Sequence, residues 1–300
     1  MSEHTYRDTT FGVERVEKPY GCNGVSCSGN TPCLCDKLPD PVIPAGYTSE
    51  PVRPLLGPIT RSVDHQYTFD GKTYPGVTGI LSVIDKSAAL MSWASKQTAE
   101  AALELMLKGQ FESLVETVGP EGVVKALTAR SSWKRDEAAS LGTEVHRLAD
   151  DLINDRLTPD MVPERAIKHV KAYTDWWASA GWTVRTSEAM LIAPQEGYGG
   201  TLDLLCRDRD GKTVLADIKT GKAVYQEAVL QLTAYGLAKY IQPPGGPTFL
   251  MPKVDRHVIL HVTADGVREV EVNVGRVEVM AWLSCIELAR WRDTMKGKRL

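Results

Sequence analysis

The fold class predicted by this sequence is α/β of the α+β kind, a helical N-terminal part leading into a group of strands with helices around them. Three observations predict it. Apolar residues recur at helical spacing from Val77 to Ala180, strand texture replaces that spacing from Thr183 to Lys219, and both textures return before the C-terminus. The 300 residues are 43% hydrophobic and 24% charged, a globular composition that excludes disorder, collagen and coiled coil.

The first 60 residues hold 8 of the 17 prolines and 4 of the 6 cysteines. Proline fixes φ and removes a backbone donor, so the stretch from Lys37 to Pro58 reads as an extended linker. The domain boundary is placed near Pro58, giving a Cys/Pro-rich extension (1–57) and a main domain (58–300). Tyr67 to Tyr74 alternates aromatic and β-branched residues around Asp70-Gly71 and predicts a β-hairpin. A short helix and a longer one follow between Val77 and Lys108, interrupted around Asp85 to Ser87. Trp133, Leu141, Val145, Leu148, Ala149, Leu152 and Ile153 form one apolar stripe of a further helix that ends before Pro159. Pro163 to Ala180 is expected to be helical, with Gly181 as its C-terminal cap. Three short strands, TVRTSEAMLIA, YGGTLDLLCRD and KTVLADIKT, make a meander. Ala223 to Tyr240 returns to helical spacing and QPPGGP makes a loop. Two strands joined through Ala264 to Val267 then precede a last helix over Val277 to Met295 and a basic tail.

Formal net charge is −3, so no overall positive field attracts nucleic acid, and any such contact needs a local basic groove. No apolar run approaches the about 20 residues that span a bilayer, and the opening residues lack a signal-peptide pattern. The expectation is a cytoplasmic protein without membrane contact.

The stretch GYGGTLDLLCRDRDGKTVLADIKTGK carries the chemistry. It places Asp203 on one strand and Asp217 and Lys219 on the next. Strand side chains alternate, so Asp217 and Lys219 share a face while Ile218 points to the other. Two carboxylates from adjacent strands supply the oxygen ligands that Mg2+ or Mn2+ prefers. A lysine beside them can orient water and stabilise charge on phosphorus oxygens. Asp-x-Lys by itself is a weak pattern. Asp70-Gly71-Lys72 and Asp210-Gly211-Lys212 are turn sequences, and only the third instance lies within a strand. Outlying residues add to it. His146 follows Gly142 by one helical turn, Gln231 and Tyr235 lie one turn apart after the sheet, and Glu188 stands on the strand before Asp203. Each has a plain structural alternative: a packed histidine, an ordinary helix face, a solvated carboxylate.

Taken in order, His146, Glu188, Asp203, Asp217-Ile218-Lys219 and Gln231 through Tyr235 resemble the RecB-like branch of the PD-(D/E)XK nucleases. The resemblance covers roughly residues 58 to 295 and includes YPGVTGILSVIDKSAALMSWA, which looks like the opening of phage-encoded and CRISPR-associated RecB-like exonucleases. It implies a mixed central sheet flanked by helices. It also implies a divalent metal, Mg2+ or Mn2+, held by His146, Asp203, Asp217 and the Ile218 carbonyl; Glu188, from its place on the strand before Asp203, is a further candidate ligand. Lys219 becomes the catalytic lysine, with Gln231 and Tyr235 in the motif that follows. The implied activity is hydrolysis of DNA phosphodiesters by an exonuclease at single- or double-stranded ends, in phage or bacterial recombination and repair. Homo-oligomers or a recombination partner protein fit the same picture. Two alternatives remain: a non-catalytic DNA-end or partner-binding module on the same fold, and a structure-specific endonuclease.

The cysteines depart from the family's iron-sulfur pattern, because only Cys285 follows the core and Cys206 lies within it. Cys22, Cys27, Cys33 and Cys35 fall at C-x4-C-x5-C-x-C, leaving zinc, an atypical iron-sulfur site and unligated thiols as readings. Trp176, Trp177 and Trp182 read as core, although aromatics can also stack on bases. His169, His257 and His261 have no motif partner.

Overall fold

The computed structural model describes residues 56–296. Cys22, Cys27, Cys33 and Cys35, with their metal readings, lie outside these residues, as do Lys298 and Arg299 of the basic tail. In chain order the elements are β1 (Thr60–Arg61), β2 (Gln66–Phe69), β3 (Lys72–Pro75), α1 (Val77–Leu81), α2 (Ser87–Leu107) and α3 (Phe111–Ile153). They continue as α4 (Ile167–Ala180), β4 (Thr183–Ala193), β5 (Tyr198–Arg207), β6 (Thr213–Lys219), α5 (Gln226–Gly236) and β7 (Tyr240–Gln242). The last are β8 (Phe249–Leu250), β9 (Arg256–Thr263), β10 (Gly266–Val272) and α6 (Arg276–Met295).

A seven-stranded mixed sheet runs in the order β10-β9-β6-β5-β4-β7-β8, and only the β6–β9 pairing is parallel. Helices cover both faces. On one side Leu191, Leu202, Leu215 and Ile259 pack with α1, α5 and α6, where Trp282 is fully buried. On the other, Leu204, Val214, Ile218 and Leu260 pack with α4 and the C-terminal part of α3. Trp176 and Trp177 join this second core beside Tyr173 and Trp182 as an aromatic cluster, which is the core reading of their spacing. Among the described residues no helix is long and apolar enough to cross a membrane.

A separate three-stranded sheet, β1-β2-β3, lies against the main one through Tyr67, Phe69 and Ile192. Its hairpin turns at Asp70 (φ 50°) and Gly71 (φ 73°), the left-handed pair that a two-residue turn of Asp-Gly provides. Ile59 N–H donates to Gln242 Oε1 at 2.5 Å and ties the start of this sheet to β7.

Consecutive glycines on β5 let two tyrosines approach the strand closely. A Cβ at Gly199 would lie 2.6 Å from Tyr67 Cβ, and one at Gly200 would lie 2.7 Å from Tyr235 Cε1. Neither neighbour is a flexible chain end. Gly199→Ala is therefore expected to cost about 1–3 kcal/mol through overpacking, and an unchanged melting temperature would refute this account of the Tyr67 contact.

Three expectations are corrected. The helix expected around Trp133 begins earlier, at Pro120 after a break at Gly119 (φ 73°) that separates it from the first turns of α3, and Trp133 is 53% exposed under the Arg130 guanidinium rather than part of the buried stripe. The first half of α3 packs on α2, where the described buried side chains are Gln97 and Val123, and the continuous buried stripe against the main sheet runs from Leu141 onward. The helix expected over Ala223 to Tyr240 is confined to Gln226–Gly236, because Lys239 N–H donates to Ile192 O and the next residues pair with β4. Tertiary pairing at an open sheet edge outweighs helical spacing there.

Candidate active site

The chemistry gathers where β5 and β6 part. Their ladder ends at Leu204↔Ala216, one residue short of Asp203 and Asp217. Beyond it, Ile218 N–H donates 2.7 Å to Asp203 Oδ2, so a side chain takes over from the backbone acceptor. The β4–β5 ladder is broken at the same level. Ser187 pairs with Leu204 and Ala189 with Leu202, whereas Glu188 and Asp203 between them form no pair, and Glu188 has φ 49°. Leu202 enters one core and Leu204 the other, although two residues apart on a strand should share a face. The alternation slips at Asp203, and both carboxylates emerge at the slip.

Asp217 is fully buried. Lys219 Nζ stands 2.5 Å from its Oδ2, whereas its Oδ1 is buried without a hydrogen-bond partner. Burial, then the like charge of Asp203, pushes Asp217 up to about 6 against the pull of Lys219 and His146. Burial alone would lower Lys219, but Asp217 and Asp203 outweigh it and hold the ammonium charged, above its usual range. Lys219 Nζ also donates 3.1 Å to Gln231 Oε1, and Gln231 Nε2 donates 2.9 Å to Tyr235 Oη. Burial keeps the Tyr235 hydroxyl well above its ordinary range, so it stays protonated.

His146 arrives from α3 with Nδ1 3.4 Å from Asp203 Oδ2. Crowding by the protein, then Asp203 and Asp150, pushes Glu188 up to about 7, and Arg61 pulls the other way. The Glu188 surface stays open to solvent, which screens part of that rise. The sequence-predicted residues thus come together: His146, Glu188, Asp203 and Tyr235 border one cavity of about 650 Å³, while Lys219 contacts Gln231 and the buried Asp217. The other two Asp-x-Lys instances are turns, with Gly71 at φ 73° and Gly211 at φ 78°.

Several cavity residues had escaped the sequence reading. Asp150 follows His146 by four residues on α3, so helical spacing alone could have found it. Arg61, His65, Tyr67 and Thr201 come from the small sheet or β5, and no local pattern signals them. His261 pairs with Lys219 across β6–β9, and its Nε2 lies 2.7 Å from Gly221 O, securing the loop after the lysine.

Among the described residues no three His, Cys, Asp or Glu side chains form a ready metal-holding group. The donor chemistry nevertheless fits a divalent ion. His146 stands beside Asp203, both act electrostatically on Asp217, and Asp217 is buried with its Oδ1 unpaired, an arrangement costly to keep ionised without a cation.

No family model matches the chain, and no curated protein matches it. The solved structure described as "Crystal structure of SSO0001" is 15% identical, spans 50% of this chain and 74% of that one, and has a TM-score of 0.28. At that score the likeness carries no argument.

Proposed function

We propose that this chain is a divalent-metal-dependent DNA nuclease with a RecB-like PD-(D/E)XK core, acting as an exonuclease at DNA ends. One observation carries the proposal: Asp217 is fully buried, its Oδ1 has no hydrogen-bond partner, and Lys219 and Asp203 stand beside it at the opening of the sheet. A purely structural ion pair is expected to satisfy both carboxylate oxygens, and here Oδ1 is left over. Asp203, Asp217, His146 and the Ile218 carbonyl are the proposed holders of Mg2+ or Mn2+, with Glu188 adding negative charge nearby. Such an ion supplies Lewis-acid polarisation of a phosphoryl oxygen and a water of lowered pKa.

The chain's own residues supply the rest. Lys219 brings a fixed positive charge to the oxygens that gain charge as the phosphodiester is attacked. Gln231 holds the lysine Nζ in place, and the Tyr235 hydroxyl holds Gln231. Asp203 keeps β6 in register with its side chain while presenting its carboxylate to the cavity.

The test is digestion of end-labelled linear DNA, single and double stranded, with closed circular DNA alongside, in Mg2+, Mn2+ or EDTA. Cleavage confined to substrates with ends and abolished by EDTA is the expected result. Cutting of closed circles would change the reading to an endonuclease. Failure to cut any DNA with either metal would overturn it.

A further inference from the structure

Arg61 of β1 and Tyr67 of β2, with His65 between the two strands, bring the small sheet to the cavity. Arg61 is exposed at the end of β1, and Tyr67 is its register partner on β2. Both reach the same hydroxyl on β5. Arg61 Nη1 donates 3.2 Å to Thr201 Oγ1, and Tyr67 Oη lies 3.0 Å from that oxygen. Thr201 stands two residues before Asp203, about 7 Å along a strand, on the scale of one nucleotide step, and both side chains border the cavity.

The charges of the cavity are distributed unevenly. Asp150, Glu188 and Asp203 crowd one side, and a DNA strand entering there must find cations for its phosphates. Arg147 is engaged with Asp151 at 2.7 Å. The Arg61 guanidinium has five donors, and among the described residues its one hydrogen bond is to Thr201. It is close enough to Glu188 to act on that carboxylate, so its charge is felt across the cavity.

We propose that Arg61 is a positioning residue that holds a phosphate of the nucleic-acid strand one step from the phosphodiester being cut. This rests on the nuclease reading and adds to it a role for the small sheet, which carries the phosphate anchor and is fixed to β5 by Tyr67. The anchored group is a phosphate monoanion or dianion, from either an internal linkage or a terminal phosphate.

Steady-state cleavage of short oligonucleotides by the full chain in Mg2+ tests it. For Arg61→Ala, KM is expected to rise about 10- to 100-fold, as for loss of a charge-assisted contact, with kcat within about threefold of wild type. Arg61→Lys recovers part of the affinity through its charge. A neutral methylphosphonate placed next to the scissile bond weakens the wild type and adds nothing in Arg61→Ala. If removing the terminal phosphate erases the arginine's effect, the anchored group is terminal; if the effect persists, the group is internal.

Wild-type kinetics in Arg61→Ala would overturn the inference and leave the nuclease reading intact. An equal methylphosphonate penalty in both proteins would do the same. A fall in kcat together with a lowered melting temperature, unrelieved by lysine, would assign Arg61 a structural role instead. A wild-type protein that cuts nothing would remove both readings together.

Discussion

Lys219→Ala is expected to leave a folded protein whose DNA cleavage falls by about 10²- to 10³-fold or more. The lysine stands 2.5 Å from Asp217 and 3.1 Å from Gln231, and its ammonium is held charged by Asp217 and Asp203. Alanine removes the positive charge meant for the phosphorus oxygens and leaves Asp203, Asp217 and His146 in place. Divalent metal binding, followed by calorimetry, is therefore retained while turnover is lost. Asp217 then has no lysine to favour its ionised form, so at low metal it takes up a proton more readily. A variant that cuts within tenfold of wild type would take Lys219 out of the chemistry and leave it as a structural partner of Asp217.

Asp217→Asn is expected to abolish both metal binding and cleavage while making the metal-free protein more stable at neutral pH. The sign follows from the direction of the shift. Asp217 is raised from 3.8 to about 6, so the folded state binds its proton more tightly than the unfolded chain. Its contribution to stability is fully present below about pH 4 and is lost as pH rises through about 6. Asparagine removes the buried charge. At about 1.4 kcal/mol per unit, the gain at pH 7 is on the order of 2–3 kcal/mol. Thermal unfolding in EDTA at pH 4 to 8 reads it, as a variant minus wild-type difference that grows with pH. That difference separates Asp217 from carboxylates such as Asp208 and Asp255, which are lowered and work in the opposite direction. Added Mg2+ stabilises the wild type alone. A variant less stable than wild type at every pH would mean that Asp217 is kept for the fold.

Local chemistry was legible in the sequence. The Asp70-Gly71 hairpin, the Gly181 cap at φ 65° and the Asp217-Lys219 face follow from turn residues and strand alternation, and each is found in the structure. What depended on tertiary pairing was not legible. The slip at Glu188 and Asp203 needs two ladders to fail at the same level, and no alternation rule applied to β5 alone predicts that Leu202 and Leu204 part company. The paired glycines of YGGTLD, which the sequence places within a strand without assigning them a role, admit Tyr67 and Tyr235 against β5. Trp133 shows the converse. Its spacing belongs to a buried stripe, but the first half of α3 packs on α2 and leaves the ring exposed.

The side-chain cap from Asp203 to the Ile218 amide gives the site an unequal evolutionary exposure. In the proposed nuclease Lys219 serves the chemistry and bonds only other side chains, Asp217 and Gln231, whereas Asp203 also closes a backbone hydrogen bond in the sheet. In a lineage released from selection for cleavage, Lys219 is free to drift early, and Asp203 persists for as long as the strand must be held. A descendant retaining the aspartate without the lysine would be a relic of the proposed nuclease, recognisable in a family tree by the order in which its residues disappeared.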